Sequence, residues 1–439
     1  MRKAIGSLLN KLLELLLPYW IIGYYLGTNI PSRQVYVLWF GTLYLLAFFA
    51  IAFKFKKLLT LLLQEPLALL LIGLSGLSWF WSVAPEITFA SFRSLIVQYV
   101  LAGLLVISYK PAQLIGIIAK ALSACGLISA FYIVFIPHIG IRGSSLFSSS
   151  WRGVFSHQSV LAGVMGMAII SLVYFGLYQK IDSTKGPLHN WFLLPLAICS
   201  VVLIFCGAKT ALVSLIASFV VLPMFFLKKI RKIKERTVIF FTLLYILLFG
   251  TATVYAVREF IVVELLGKSL DLTGRSDTWE FLISKLSERP ILGFGLDAFW
   301  HNKQISNEFA GIVGRQIPSI YNSHNGHLDI AVGLGYVGAF FLGIFVLRVV
   351  SRSIVFALNS YNIAGFWSLQ ISVFILIAGY SDTFIGLLKA RGLAWLIFST
   401  AYLLVIYQMK GLGQERVYIS DNPYLRKTSR FARVYGKTV

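Results

Sequence analysis

The chain has 439 residues, of which 58% are hydrophobic and 13% charged, with a mean hydropathy of +0.80. Soluble globular domains carry about a quarter charged residues, so this balance excludes a water-soluble fold and describes an integral membrane protein. The net charge of +22, from Lys+Arg 39 against Asp+Glu 17, lies mostly in short connections and the C-terminal tail, as the positive-inside rule requires. No basic, aromatic-bearing domain is long enough to hold nucleic acid, which is therefore not expected as a partner.

Met1, Arg2 and Lys3 precede a Leu-rich run. It continues to about Leu26 with no small-residue cleavage site after it, which makes it an uncleaved first span. Further apolar runs of spanning length lie near 35–53, 63–82, 92–109, 113–137, 158–178, 190–207, 210–227, 237–257, 326–347, 354–380 and 392–409. With the first run near 8–27 they predict an all-α integral membrane protein of about twelve transmembrane helices. One polytopic domain over 1–409 is expected, followed by a basic tail over 410–439 that reads as a flexible arm.

Loop charges orient these spans. The Lys54/Lys56/Lys57 cluster, Lys110, Lys120, the run from Lys228 to Arg236, and Arg348 and Arg352 fall on one side with both termini. That side is expected to be cytoplasmic, in a bacterial inner membrane. The polar segment 259–325 then becomes one large extracytoplasmic loop. Cys125, Cys199 and Cys206 lie within or at the ends of spans, and neither a disulfide framework nor a Cys-based metal site is expected.

Chemistry-bearing residues cluster at the outward ends. Arg152 and His157, before the sixth span, read either as an interfacial anchor beside Trp151 or as part of a site. Lys209 sits in a connection too short to be a solvated loop, so it either snorkels or contacts an anion. In the large loop, Thr273 or Ser276 can cap a helix whose inner face shows Trp279, Phe281 or Leu282, and Leu286. Arg275 and Asp277 then fall at its start, where guanidinium and free N–H groups suit an anion; the plain alternative is a surface ion pair.

His324 and His327 share a helical face where the large loop enters the tenth span. A zinc site there needs a third ligand such as His301 or Asp329, and no His-Glu-x-x-His pattern supports one. His324 and Asn325 read as either helix-capping residues or the place of a general base, since a neutral imidazole suits proton removal near pH 7. Asp382, Lys389 and Arg391 flank the last outward connection, as functional residues or as markers of helix ends.

Taken in order, Arg152-Gly153-x-Phe155-x-His157, Lys209-Thr210, Thr273-Gly274-Arg275-x-Asp277-x-Trp279, Pro290-x-Leu292-Gly293-x-Gly295 and His324-Asn325-Gly326-His327-Leu328-Asp329 resemble the O-antigen ligase/polymerase superfamily. Gly333-Leu334-Gly335-Tyr336-Val337-Gly338 extends the series, and the resemblance covers about 60–405. It implies a GT-C-like glycosyltransferase architecture and transfer of glycan from an undecaprenyl-pyrophosphate-linked oligosaccharide to a glycan or lipid acceptor. Neither a metal ion nor another cofactor is implied.

By the same resemblance Arg152 and Arg275 contact the pyrophosphate and His324 activates the acceptor. His157, Lys209, Asp277, Trp279, Asn325 and His327 complete the substrate-binding set. The chain has Gln158-Ser159 after His157, where family members often have Pro-Asn or Lys-Asn, so no role carries over to Ser159. The wording around Arg152 and Arg275 is closer to exopolysaccharide polymerases than to ligases that join glycan to a lipid A-core acceptor. From a different class, a transporter of lipid-linked solutes also fits the span number. Such proteins place charged sites near the bilayer midplane rather than at one face.

Overall fold

The computed structural model describes residues 2–26, 33–142, 150–181, 191–222, 275–313, 322–360, 362–383, 386–388 and 393–421. Within them the chain is almost entirely helical. In order come α1 (Arg2–Leu26), α2 (Arg33–Leu62), α3 (Pro66–Leu77) with a 3-10 turn (Ser78–Trp81), α4 (Pro85–Ser108), α5 (Pro111–Phe135) and the single turn α6 (Pro137–Gly140). A two-stranded antiparallel hairpin, β1 (Ile141–Arg142) and β2 (Ser150–Trp151), leads to α7 (Gln158–Ile181), α8 (Leu193–Phe205) and α9 (Lys209–Ser218). Then follow α10 (Arg275–Glu288), α11 (Lys303–Val313), α12 (Gly326–Ser360), α13 (Ile363–Ser381) and α14 (Ala394–Asp421). Proline opens α3, α4, α5 and α6, where its missing N–H costs nothing and its fixed φ suits the first turn.

The protein is a multi-pass membrane protein. Among the described residues five helices are long and apolar enough to cross a bilayer, or six if one bent pair counts as a span. This is fewer than the sequence pattern suggests, for identifiable reasons. Among the described residues the expected spans at 190–207 and 210–227 give the short helices α8 and α9, and 223–227 lie outside those residues. The expected span 237–257 lies outside the described residues, as does the basic run from Lys228 to Arg236.

Three boundaries also differ. The expected span 35–53 lies within α2, but α2 continues through Lys54, Lys56 and Lys57 to Leu62, and its second half, Ala47–Leu62, meets Pro66–Trp81 at 103° as one bent pair. Pro66 sets this corner, because the residue before a proline is driven out of the helical region. Arg348 and Arg352, expected in a connection, lie within α12. The tail expected after 410 begins as helix, since α14 runs to Asp421 and no proline intervenes before Pro423.

The core is built around α13, which packs against α7, α9, α12 and α14, while α14 also packs on α4. Trp367, Phe366, Phe374 and Ile375 of α13 are wholly buried. In hydrocarbon, helices associate through close packing and interhelical hydrogen bonds rather than through the hydrophobic effect. Such bonds run from Trp367 Nε1 to Ser171 Oγ (3.1 Å) and from Ser368 Oγ to the Ala401 carbonyl (2.8 Å). Gln98 Oε1 accepts from the Leu396 N–H (3.1 Å), satisfying a buried donor at the start of α14.

Glu65, at the corner between α2 and α3, is fully buried. One oxygen accepts from Arg352 Nη1 (2.8 Å) and from the Tyr402 hydroxyl (2.7 Å), and Arg348 Nε lies 3.2 Å from the other. This cluster ties the bend to α12 and α14. A carboxylate is retained there only because two guanidiniums, each about one-third exposed, accompany it.

α12 is broken inside its apolar stretch, with Gly335 at φ 67°. The segment after α10 fills the break: Phe294 and Gly295 N–H donate to the Val332 and Gly333 carbonyls (3.0 and 2.8 Å), and Tyr336 and Val337 N–H donate to the Pro290 and Ile291 carbonyls (2.7 and 3.3 Å). A Cβ on Gly335 would collide with the Ile291 carbonyl, and one on Gly293 with the Val332 carbonyl. Both neighbours are backbone and cannot swing away. Gly335→Ala is therefore expected to destabilise by on the order of 2 kcal/mol through strain and overpacking. Gly343→Ala in the same helix meets nothing within 4 Å and should be neutral or slightly stabilising. A thermal-unfolding comparison in detergent checks this, and equal midpoints for the two variants would show the break to be dispensable.

Candidate functional site

The polar segment is not an open loop where it is described. α10 and α11 share an aromatic core in which Phe281 meets Phe309 (ring centroids 5.0 Å apart), with Phe294, Phe299 and Trp300 beside them. Phe281, Leu282 and Leu286 are buried as the helical spacing predicts, and Trp279 is half-buried. Lys285 Nζ bridges Glu288 (2.7 Å) on α10 and Glu308 (2.8 Å) on α11. These hydrogen bonds, Glu288 first, hold the ammonium above the usual lysine range.

α10 begins at Arg275 and carries Asp277 exposed in its first turn. The side chain of Arg275, and Thr273 and Gly274, lie outside the described residues. One turn on, Trp279 Nε1 donates to the Ser323 carbonyl (2.8 Å). That bond fastens α10 to the turn bearing His324. The Ser323 hydroxyl is within 2.7 Å of the Asn325 carbonyl and 3.3 Å of Thr383 Oγ1, just beyond α13. Trp279 thus has a holding contact that its sequence position, read as substrate-binding, does not disclose.

His324 adopts φ 53°, a left-handed conformation uncommon outside glycine, and its N–H donates to Asn322 Oδ1 (3.0 Å). Asn325 Oδ1 accepts from the His327 and Leu328 N–H groups (both 3.1 Å), so this side chain is the N-cap of α12. The capping reading therefore describes Asn325. His327 sits in the first turn of α12 with its Nδ1 buried and without a hydrogen-bond partner among the described residues. His301, considered above as a third metal ligand, has its Nδ1 3.0 Å from the Asp297 carbonyl. Among the described residues no three His, Cys, Asp or Glu side chains lie close enough together to hold a metal ion.

Arg152 and His157 belong to one tight corner. The N–H groups of Arg152 and Gly153 both donate to the Gly140 carbonyl (2.9 Å), and Arg152 Nε donates to the Ile139 carbonyl (2.8 Å). Gly153 has φ 59° and lies so close to Ser129 of α5 that no side chain fits. His157 then immediately precedes α7, with its Nδ1 accepting from the Ser159 N–H (3.2 Å). A neutral ring in this pose carries its proton on Nε2. Trp151 stacks on Phe205 at 5.1 Å, which brings the end of α8 against β2. Two residues beyond the Gly207 turn, Lys209 opens α9 with its side chain exposed.

Two groups of expected site residues are thus assembled. One joins Trp279, His324 and Asn325, and the other Arg152 and His157. Asp382 links them: it is buried, it adjoins Thr383, and its charge acts on His157. Sequence reasoning left Asp382 open and did not single out Arg142, although both act electrostatically on His157. An acid between apolar helices was the available signal. Asp277 and Lys209 are exposed and contribute no described contact to either group, and Lys389 and Arg391 lie outside the described residues.

Burial is the largest influence on His157 and holds its pKa below the usual histidine value; Asp382 opposes this shift and Arg142 adds to it. The folded protein therefore binds this proton less readily than the unfolded chain. The resulting stability contribution is fully present above about pH 6.5 and is lost as pH falls towards the folded value. With six histidines in the chain, His157→Gln suffices to assign the ring resonance by NMR in nanodiscs. The ring should stay neutral below pH 6.5, and Asp382→Asn should depress its titration further. An upward shift in that variant would mean that Asp382 is not a neighbour of the ring.

Residues 194–343 match the family model described as O-antigen ligase. This domain runs from α8 into α12 and covers about a third of the chain. It contains Lys209, Arg275, Asp277, Trp279, His324, Asn325 and His327, whereas Arg152, His157 and Asp382 lie outside it. No curated protein matches the chain. An O-antigen ligase family domain supports an enzyme of ligase or polymerase type acting on lipid-linked glycan in a membrane.

Proposed function

We propose that this chain, which carries an O-antigen ligase family domain in residues 194–343, is a membrane glycosyltransferase of surface polysaccharide biosynthesis. Its donor is an undecaprenyl-pyrophosphate-linked oligosaccharide and its acceptor the hydroxyl of a glycan. The site faces away from the cytoplasm in a bacterial inner membrane, with both termini cytoplasmic. The observation that carries this reading is the Trp279–Ser323 bond within the matched domain. It joins the helix opened by Arg275 to the turn bearing His324, two motifs with complementary chemistry.

In the transfer, the acceptor oxygen attacks the anomeric carbon while the bond from that carbon to the pyrophosphate oxygen breaks. The acceptor proton passes to His324, and the electron pair of the broken bond leaves on the pyrophosphate. Arg152 and Arg275 stabilise that charge, which grows towards the transition state. Arg152 is already aimed by its Nε contact to Ile139, which leaves its terminal nitrogens for an anion. His157, Lys209, Asp277, Trp279, Asn325 and His327 line or hold the substrate path, Asn325 and Trp279 by supporting the His324 turn. Guanidinium groups can take the charge-neutralising part that a divalent ion takes elsewhere, so the reaction is expected to need no metal.

We favour a polymerase, on the wording around Arg152 and Arg275. The alternative is a ligase that transfers glycan to a lipid A-core acceptor, and the matched domain is compatible with either. Reconstitution with labelled lipid-pyrophosphate oligosaccharide, with and without such an acceptor and in EDTA, separates them. Longer carrier-linked chains indicate the polymerase, and label on the second lipid the ligase. Label crossing the bilayer unchanged would instead indicate transport, and loss of turnover in EDTA would sink the metal-free mechanism.

Two variants test the roles. Arg275→Lys keeps the charge but not the paired donors, and should lose most activity. His324→Asn suits the left-handed backbone better than alanine would, yet removes the base. It should lower turnover by about 10²–10⁴-fold with little change in donor binding. Near-normal turnover in both variants, at normal expression, would refute these assignments.

A further inference from the structure

The 290–295 segment departs from the polar character of its surroundings. It lies along residues 332–337 of α12, about 9–17 Å along the helix axis from Gly326 at 1.5 Å per residue, within the candidate span Gly326–Leu358. Its first apolar side chains point outward, with Ile291 65% exposed and Leu292 exposed beside it, while Phe294 turns back into the aromatic core. The 3-10 turn after α3 adjoins it through Trp81 Nε1, which donates to the Leu292 carbonyl (2.9 Å), and this turn presents Phe80 at 75% exposure. The surface continues without interruption along α12, where Tyr336, Phe340, Ile344 and Leu347 form one exposed apolar stripe at helical spacing. At the rim stands Arg289, exposed, its guanidinium 5.0 Å from the centre of the Phe294 ring.

We propose that residues 290–292, with Phe80 beside them, form a wedge inserted into the hydrocarbon of the leaflet on the site's side of the membrane, with Arg289 at head-group level. The occupant of this surface is lipid acyl chain, because the surface is continuous with the apolar stripe of a spanning helix. Much of the backbone requirement is met at that depth, since the four carbonyls that face one another across the break each receive an N–H and the Leu292 carbonyl accepts from Trp81. An arginine at the boundary keeps its charge in the head-group zone while its stem covers apolar surface. The polar segment is thereby anchored at the bilayer surface, and this holds whether or not the protein transfers glycan.

Site-directed spin labelling of the full-length protein in phosphatidylethanolamine/phosphatidylglycerol nanodiscs tests the wedge. Nitroxides at Ile291→Cys and Phe80→Cys are compared with one at Glu280→Cys, an exposed position on α10. The native cysteines are buried, so the unsubstituted chain serves as the labelling blank. Labels at 291 and 80 should relax with dissolved oxygen and not with an aqueous nickel chelate, and the label at 280 the reverse. Nickel access at 291 and 80 equal to that at 280 would overturn the proposal. So would protection from both reagents with spin–spin broadening, which would mean that a second copy covers the surface. A label-free check uses brominated lipids: Trp79, exposed in the same turn, should be quenched, and Trp79→Phe should remove that share of the quenching. Unchanged quenching in that variant would count against the wedge.

Discussion

A backbone N–H or C=O left unpaired in hydrocarbon costs several kcal/mol, and α12 is broken where that cost would fall. Gly335 turns the chain out of the helical region, and the segment after α10 supplies and receives the lost hydrogen bonds. The rest of the site end follows from that exchange. It binds the polar segment to a spanning helix, sets where α10 stops, and fixes the direction from which α10 approaches the His324 turn. Glycine is required on both sides because carbonyl oxygens occupy the space a Cβ would need.

The opposite demand, burial of charge, is met at the α2–α3 corner. There Glu65 is enclosed by Arg348, Arg352 and Tyr402. Between these two constraints the bundle is held by single interhelical hydrogen bonds, as in the Trp367–Ser171 and Ser368–Ala401 contacts. Such bonds are worth little each, so the close packing of α13 against four neighbours carries most of the cohesion.

The candidate site is assembled by residues that are not themselves reactive. Ser323 is the junction, since its carbonyl accepts from Trp279 and its hydroxyl lies against Thr383. Gly326 lies against Gly386 and the Gly379 carbonyl, leaving no room for a side chain between α12 and the connection after α13. In consequence His324 projects from a turn clamped on three sides, in a backbone conformation that an unsupported histidine would seldom keep. A general base gains from that rigidity because proton transfer needs a fixed distance to its partner.

Hydropathy determined the class of this protein. Long apolar runs with few charges leave no other economical structure than membrane helices, and α4, α5, α7 and α13 lie close to where those runs suggest. Motif order also singled out Arg275 and His324 as candidate site residues, because they sit towards the ends of a conspicuously polar segment. Local pattern could not show the bend at Glu65, the inward turn of Arg348 and Arg352, or the break at Gly335. Each depends on a partner far along the chain, which periodicity does not encode. For the same reason Asn325 as a cap, Trp279 as a strut and Asp382 beside His157 were decided by tertiary structure alone: a side chain's role is set by what lies across from it, and only folding brings that neighbour into place.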